Sequence, residues 1–156
     1  MNFTVNTIAK SLANHLKPLL PNVTFLQNPT QQNADENGVN MPCMFLQQRY
    51  SNIELQTGGC YYRKIGLDLT YLENYNLVNL QELYQQAAEV LDLNMECFPY
   101  SDGENAEKTM IRTYNREWRI DLDALHYKFE IRERVVIPTQ ETKMQTIQEL
   151  NEEVNK

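Results

Sequence analysis

The chain has 156 residues and a formal net charge of −7, with 42% hydrophobic and 22% charged residues. That length suits one domain, and a domain of this size buries roughly 70% of its unfolded surface without a metal or a disulfide. The acidic balance argues against a general nucleic-acid binder, which needs concentrated Lys and Arg, but not against a protein that surrounds DNA without gripping it.

The three cysteines, Cys43, Cys60 and Cys97, are odd in number and widely spaced, and no CxxC occurs. Reduced, cytosolic thiols are expected rather than a disulfide framework or a zinc site. The first residues, "MNFTVNTIAKSLANHL", lack the apolar run of a signal peptide, and no apolar segment is long enough to span a membrane.

Residues 6–20 predict a first helix, with Ile8, Leu12, Leu16 and Leu19 at helical spacing, Asn6 or Thr4 as cap, and Pro18 and Pro21 marking its end. "NVTFLQ" is a short strand. Residues 28–40, rich in Asn, Gln, Gly and Pro, read as an exposed polar loop. Strands follow at 43–50 and 60–72, joined around Thr57-Gly58-Gly59 as a hairpin. In the second of these Ile65, Leu67, Leu69 and Tyr71 share one face, with Lys64, Asp68 and Thr70 on the other. Residues 77–92 predict a second helix, with Leu80, Leu83, Tyr84, Ala87, Val90 and Leu91 as its apolar stripe.

"YSDGEN" (100–105) is a loop, and 108–120 reads as a strand that could hold a bulge. After the turn "DLDA" comes the most regular strand, 124–137. Leu125, Tyr127, Phe129, Ile131, Glu133, Val135 and Ile137 lie on one face, and charged or polar residues fill all but Val136 of the other. Beyond it, Met144, Ile147, Leu150 and Val154 form a narrow amphipathic helical stripe. The expected architecture is a single α+β domain in the order α-β-β-β-α-β-β: a mostly antiparallel sheet with two helices packed on one face, plus a C-terminal amphipathic helix. The domain is expected over 1–138 and the extension over 139–156.

The residues do not assemble into a recognisable reaction centre. His15 and His126 are far apart and lack metal-ligand spacing. There is no GxSxG, P-loop or GxGxxG, and each cysteine is read as a small apolar residue. Asp121, Asp123 and His126 in "DLDALH" are better explained by a turn than by a cation site. No catalytic, cofactor-binding or metal-ligating residue is assigned. The one candidate site is an interface. On a regular strand Arg112, Tyr114, Arg116 and Trp118 share one face, and Tyr, Trp and Arg are enriched where proteins meet. The same residues could stack on nucleobases, but the acidic charge favours protein. Met144, Ile147, Leu150 and Val154 join them as candidate interface residues, because a short isolated helix needs a surface to dock on.

In the order of these features the chain resembles the tail terminator proteins of long-tailed bacteriophages and prophages, in particular small terminators from phages of Gram-positive bacteria. The resemblance rests on an N-terminal helix, "PCMFLQQRY", "RKIGLDLTYL" with Asp68 and Tyr71, the helix "LQELYQQAAEVLD", and "MIRTYNREWRIDLDALHYKFEIRERV" with Leu125, His126 and Tyr127. It covers roughly residues 1–137, and no single motif in it is diagnostic. It implies a structural virion protein without catalysis or cofactor. Such a protein forms a homohexameric ring at the head-proximal end of the tail, assembled in the host cytoplasm. The ring stops polymerisation of the tail tube protein and meets a head-side connector or neck protein. An acidic ring would let DNA pass through its lumen without specific binding. Two other readings stand beside this one: another neck or head–tail connector component, and a small cytosolic enzyme with an unrecognised site. A soluble adaptor for a host protein is a third.

Overall fold

Thr4 caps the first helix, α1 (Val5–Leu16): its hydroxyl accepts the Thr7 N–H at 3.2 Å, and the Thr7 hydroxyl accepts the Thr4 N–H at 3.1 Å. This reciprocal pair satisfies two of the N–H groups that a helix start leaves unpaired. The structure, a computed structural model, describes residues 4–26, 41–74, 76–101, 109–121 and 123–135. The polar loop expected at 28–40 and the extension at 139–156 therefore lie outside the described residues. So do most of the loop at 100–105 and the last two positions of the strand expected to end at 137.

Ile8, Leu12 and Leu16 are buried, whereas Leu19 is exposed because α1 stops at Leu16, two residues before Pro18. Lys17 is still α-helical and donates its N–H to the Ala13 carbonyl at 2.9 Å, but Pro18 has no N–H to offer Asn14, which accounts for a helix shorter than 6–20. The other elements are β1 (Thr24–Leu26), β2 (Cys43–Leu55), β3 (Tyr61–Leu72), α2 (Leu80–Asn94), β4 (Cys97–Pro99), β5 (Met110–Asp121) and β6 (Ala124–Val135). β2 runs further than the expected 43–50, and β4 was not foreseen, since three residues are too few to show a period.

Among the described residues six strands form one sheet in the order β1-β2-β3-β6-β5-β4, antiparallel except for the parallel pair β1–β2. Two hairpins, β2–β3 and β5–β6, thus meet along β3–β6. The β2–β3 turn uses Gly58 and Gly59 at φ 87° and 78°, a region L side chains avoid.

Register explains the core. Met44, Tyr71 and Leu125 stand in one cross-strand row, Leu46, Leu69 and Tyr127 in the next, and Ile65 pairs with Ile131. All of these are buried, in one cluster with Ile8, Leu12 and Leu16 of α1 and Tyr84, Ala87, Ala88 and Leu91 of α2. Both helices therefore cover the same face of a mixed α+β domain. Tyr84 fixes α2 to the sheet ends: its hydroxyl donates to the Asp123 carbonyl at 2.8 Å and accepts the Glu73 N–H at 3.0 Å. Glu133, the one charged residue on the apolar face of β6, is buried and ion-paired with Arg63 of β3.

The helix-free face is more closed than a simple polar face. Asp68, Thr70 and Glu130 are all buried on it. A bulge between Gln48 and Tyr50 turns Tyr50 onto this face, opposite Gly66. The absent side chain leaves room for the ring, since a Cβ at Gly66 would stand 2.2 Å from Tyr50 Cε1. Tyr50 then donates its hydroxyl proton to Glu130 Oε2 at 2.9 Å. Gly66→Ala is expected to displace the ring, lose that bond and cost about 1–3 kcal/mol, as overpacking does. In a Tyr50→Ala background the same substitution should cost far less. Thermal unfolding of the four-member cycle checks this.

Candidate interface on strand β5

Regular alternation would place Arg112, Tyr114, Arg116 and Trp118 together, but the strand is not regular. A bulge lies between Tyr114 and Glu117, with Asn115 at φ 52°, a left-handed conformation that Asn tolerates better than most residues. Tyr114 pairs with Glu130 before the bulge, whereas Trp118 pairs with Tyr127 after it. The extra residue reverses the parity of the strand. Tyr114 lies on the helix-free face with Arg112, and Trp118 lies on the helix face. The shared face expected for the four residues is thereby corrected to two pairs on opposite faces.

On the helix-free side Tyr114 meets Arg132, whose guanidinium carbon is 4.3 Å from the ring centroid. Arg132 Nε also donates to Glu130 Oε1 at 2.7 Å. Burial by itself would raise the Glu130 carboxyl, but hydrogen bonds from Arg132, Tyr50 and Asn115 outweigh it and hold the group below its ordinary value of 4.5. A carboxyl depressed in the folded state contributes stability above its unfolded pKa and loses it as pH falls through the folded one. The stability advantage of the native chain over Glu130→Gln should therefore shrink steadily on acidification below about pH 4.5, as followed by chemical denaturation down to about pH 3.

On the helix side the anchor is Asp92. Tyr127 donates its hydroxyl proton to Asp92 Oδ1 at 2.9 Å, Trp118 Nε1 donates to Oδ2 at 3.1 Å, and Arg116 Nη1 donates to the Asp92 carbonyl at 3.0 Å. Burial and the Asp92 carboxylate together push the Tyr127 hydroxyl above the usual phenol range. Asp92 was not singled out in the sequence, yet a signal existed. It stands in the last turn of α2, which holds no basic residue, where the helix dipole disfavours an anion. Two donors on the carboxylate, with the Arg116 guanidinium on the adjoining carbonyl, offset that cost. A cleft of about 450 Å³ opens beside it, lined by Asp92, Glu96, Arg112, Thr113, Tyr114, Asn115 and Arg116.

The two histidines stay apart. His15 Nε2 lies 2.8 Å from the Asn94 carbonyl and links α1 to α2. His126 stands between two carboxylates on the helix-free face, its Nδ1 3.0 Å from Asp68 Oδ2 and its Nε2 3.3 Å from Asp121 Oδ2. The carboxylates flank opposite ring nitrogens, so they cannot join the imidazole around one cation. Among the described residues no group of three or more His, Cys, Asp and Glu is placed to hold a metal ion. Cys43 is buried, and burial first, then Glu73, push its thiol up, away from the reactive thiolate. Met144, Ile147, Leu150 and Val154 lie outside the described residues.

Among known proteins, a family model described as phage tail terminator protein matches residues 7–143. None of the curated proteins matches the chain.

Proposed function

The chain belongs to the phage tail terminator family, and from that premise we propose that it forms a ring, a homohexamer, on the head-proximal end of the tail tube. Its role in the phage tail is structural. In the proposed assembly the ring stops polymerisation of the tube protein and presents its other side to a head-side connector or neck protein. The family match carries this reading, because it runs from the first turn of α1 through the end of β6. The net charge of −7 supports it, since an acidic lumen would repel the DNA backbone and let the genome pass. Particles assembled in the host cytoplasm would carry the protein into the virion. Residues 139–156 would act as an extension of the 1–138 domain, docking Met144, Ile147, Leu150 and Val154 on a neighbouring subunit or tail protein.

The test is genetic and visual. Phage lacking this protein should build tails longer than normal that fail to join heads, and a plasmid-borne copy should restore both length and joining. Tails of normal length, joined to heads without it, would sink the proposal.

A further inference from the structure

Among the described residues the sheet leaves two of its strands half paired. β1 covers β2 only from Cys43 to Phe45, and β4 covers β5 only from Met110 to Arg112. Among the described residues no strand pairs with the outer side of β2 from Gln47 to Leu55, or of β5 from Asn115 to Asp121. Such edges present unpaired backbone N–H and C=O groups and act as templates for another strand unless Pro, Lys or inward charges blunt them. The open stretch of β2, "QQRYSNIEL", has neither Pro nor Lys, and leaves Ile53 and Leu55 48% and 66% exposed.

The two edges are complementary. Ile53 and Leu55 lie on the helix side of the sheet, in register with Arg63 and Tyr61. Trp118 and Ile120 lie on that same side of β5, in register with Tyr127 and Leu125. On the helix-free side the β2 edge carries Glu54 and the β5 edge carries Arg119. β2 and β5 run antiparallel within the sheet, so a second copy held in the same sense presents β5 antiparallel to β2.

We propose that β2 of one copy pairs with β5 of the next, in the register that sets Leu55 beside Trp118, Glu54 beside Arg119 and Ile53 beside Ile120. The inference deepens the ring reading and rests on it, by naming the contact between subunits. Aromatic–aliphatic and opposite-charge pairs are the ones that stabilise neighbouring strands. The register also keeps the short strands clear. β1 lies against the first residues of β2, and β4 against the first residues of β5, away from both paired segments. The contact is head-to-tail, the type that closes into a ring when its rotation allows. The stagger it imposes tilts the strands against the ring axis, as closure of any sheet requires.

Charge reversal tests the pairing. Glu54 and Arg119 are well exposed, and among the described residues each is ion-paired with a neighbour on its own sheet, Lys64 at 3.3 Å and Asp121 at 3.2 Å. Sedimentation of the full chain over a concentration series should show an oligomer. Glu54→Arg and Arg119→Glu should each weaken it at least roughly tenfold, since like charges set opposite each other cost several kcal/mol. The double variant should regain most of the loss. If the single variants assemble as the native chain does, the edge contact is wrong and the ring reading stands. If they weaken assembly but the double variant does not recover, the proposed register is wrong. A native chain that remains monomeric at every concentration would overturn the ring reading and the contact with it.

Discussion

Tyr127→Ala is expected to destabilise the chain by about 3–5 kcal/mol, the range for truncating a large aromatic side chain in a packed core. Tyr127 is fully buried in the central strand β6, between Leu69 of β3 and Trp118 of β5. Its ring supports the core, and its hydroxyl holds Asp92 on α2. Tyr127→Phe isolates the second contribution and should cost about 1.5–3 kcal/mol, as for a hydrogen bond to a charged group. A whole domain is stable by only about 5–15 kcal/mol, so the alanine variant should unfold at a much lower temperature or fail to accumulate. The phenylalanine variant should fold, with Trp118 fluorescence altered because its Asp92 acceptor is no longer held from the other side. An alanine variant as stable as the native chain would show that the core lies elsewhere.

Arg63→Met should produce the second large loss, about 2–3 kcal/mol. Breaking a buried ion pair by removing one partner costs about 3–5 kcal/mol, because the remaining charge stays buried. The figure is reduced here because the Arg63 side chain is 25% exposed, whereas that of Glu133 is 3% exposed. Arg63→Met combined with Glu133→Leu should recover part of the loss, since an apolar pair of similar size removes the buried carboxylate along with its partner. Denaturant midpoints of the single and double variants check this. A double variant no better than the single one would mean that the carboxylate is satisfied by other groups.

The elements readable from sequence were those whose burial repeats. The alternation of β6 survives in the fold because that strand is central and carries a neighbour on both edges. The apolar spacing of α1 survives because Thr4 and Pro18 bound it. What escaped was whatever depended on a single extra residue. A bulge in β5 was expected, but alternation could not say where it falls; placed after Tyr114, it turned Trp118 to the opposite face from Tyr114. The bulge before Tyr50 likewise brought a tyrosine over Gly66, across a gap in sequence that no local pattern spans. Glu133 looked like a flaw in an apolar row because its partner, Arg63, stands on a strand contributed from far away in the chain. Asp92 was hidden among the polar residues of α2, although its position against the helix dipole marked it.

The strand order also sets how the molecule must come together in time. β2–β3 and β5–β6 are each closed by a short turn, so each can zip from its own end within microseconds. The β3–β6 seam instead joins residues roughly fifty or more positions apart in sequence, and its loop-closure entropy must be met before any pairing rewards it. Folding is therefore expected to hinge on the docking of two hairpins, each only marginally stable alone. Until that docking occurs, β3 and β6 are themselves open edges. During synthesis β3 is complete long before β6 leaves the ribosome, so nascent chains would expose a bare hairpin to one another throughout that interval.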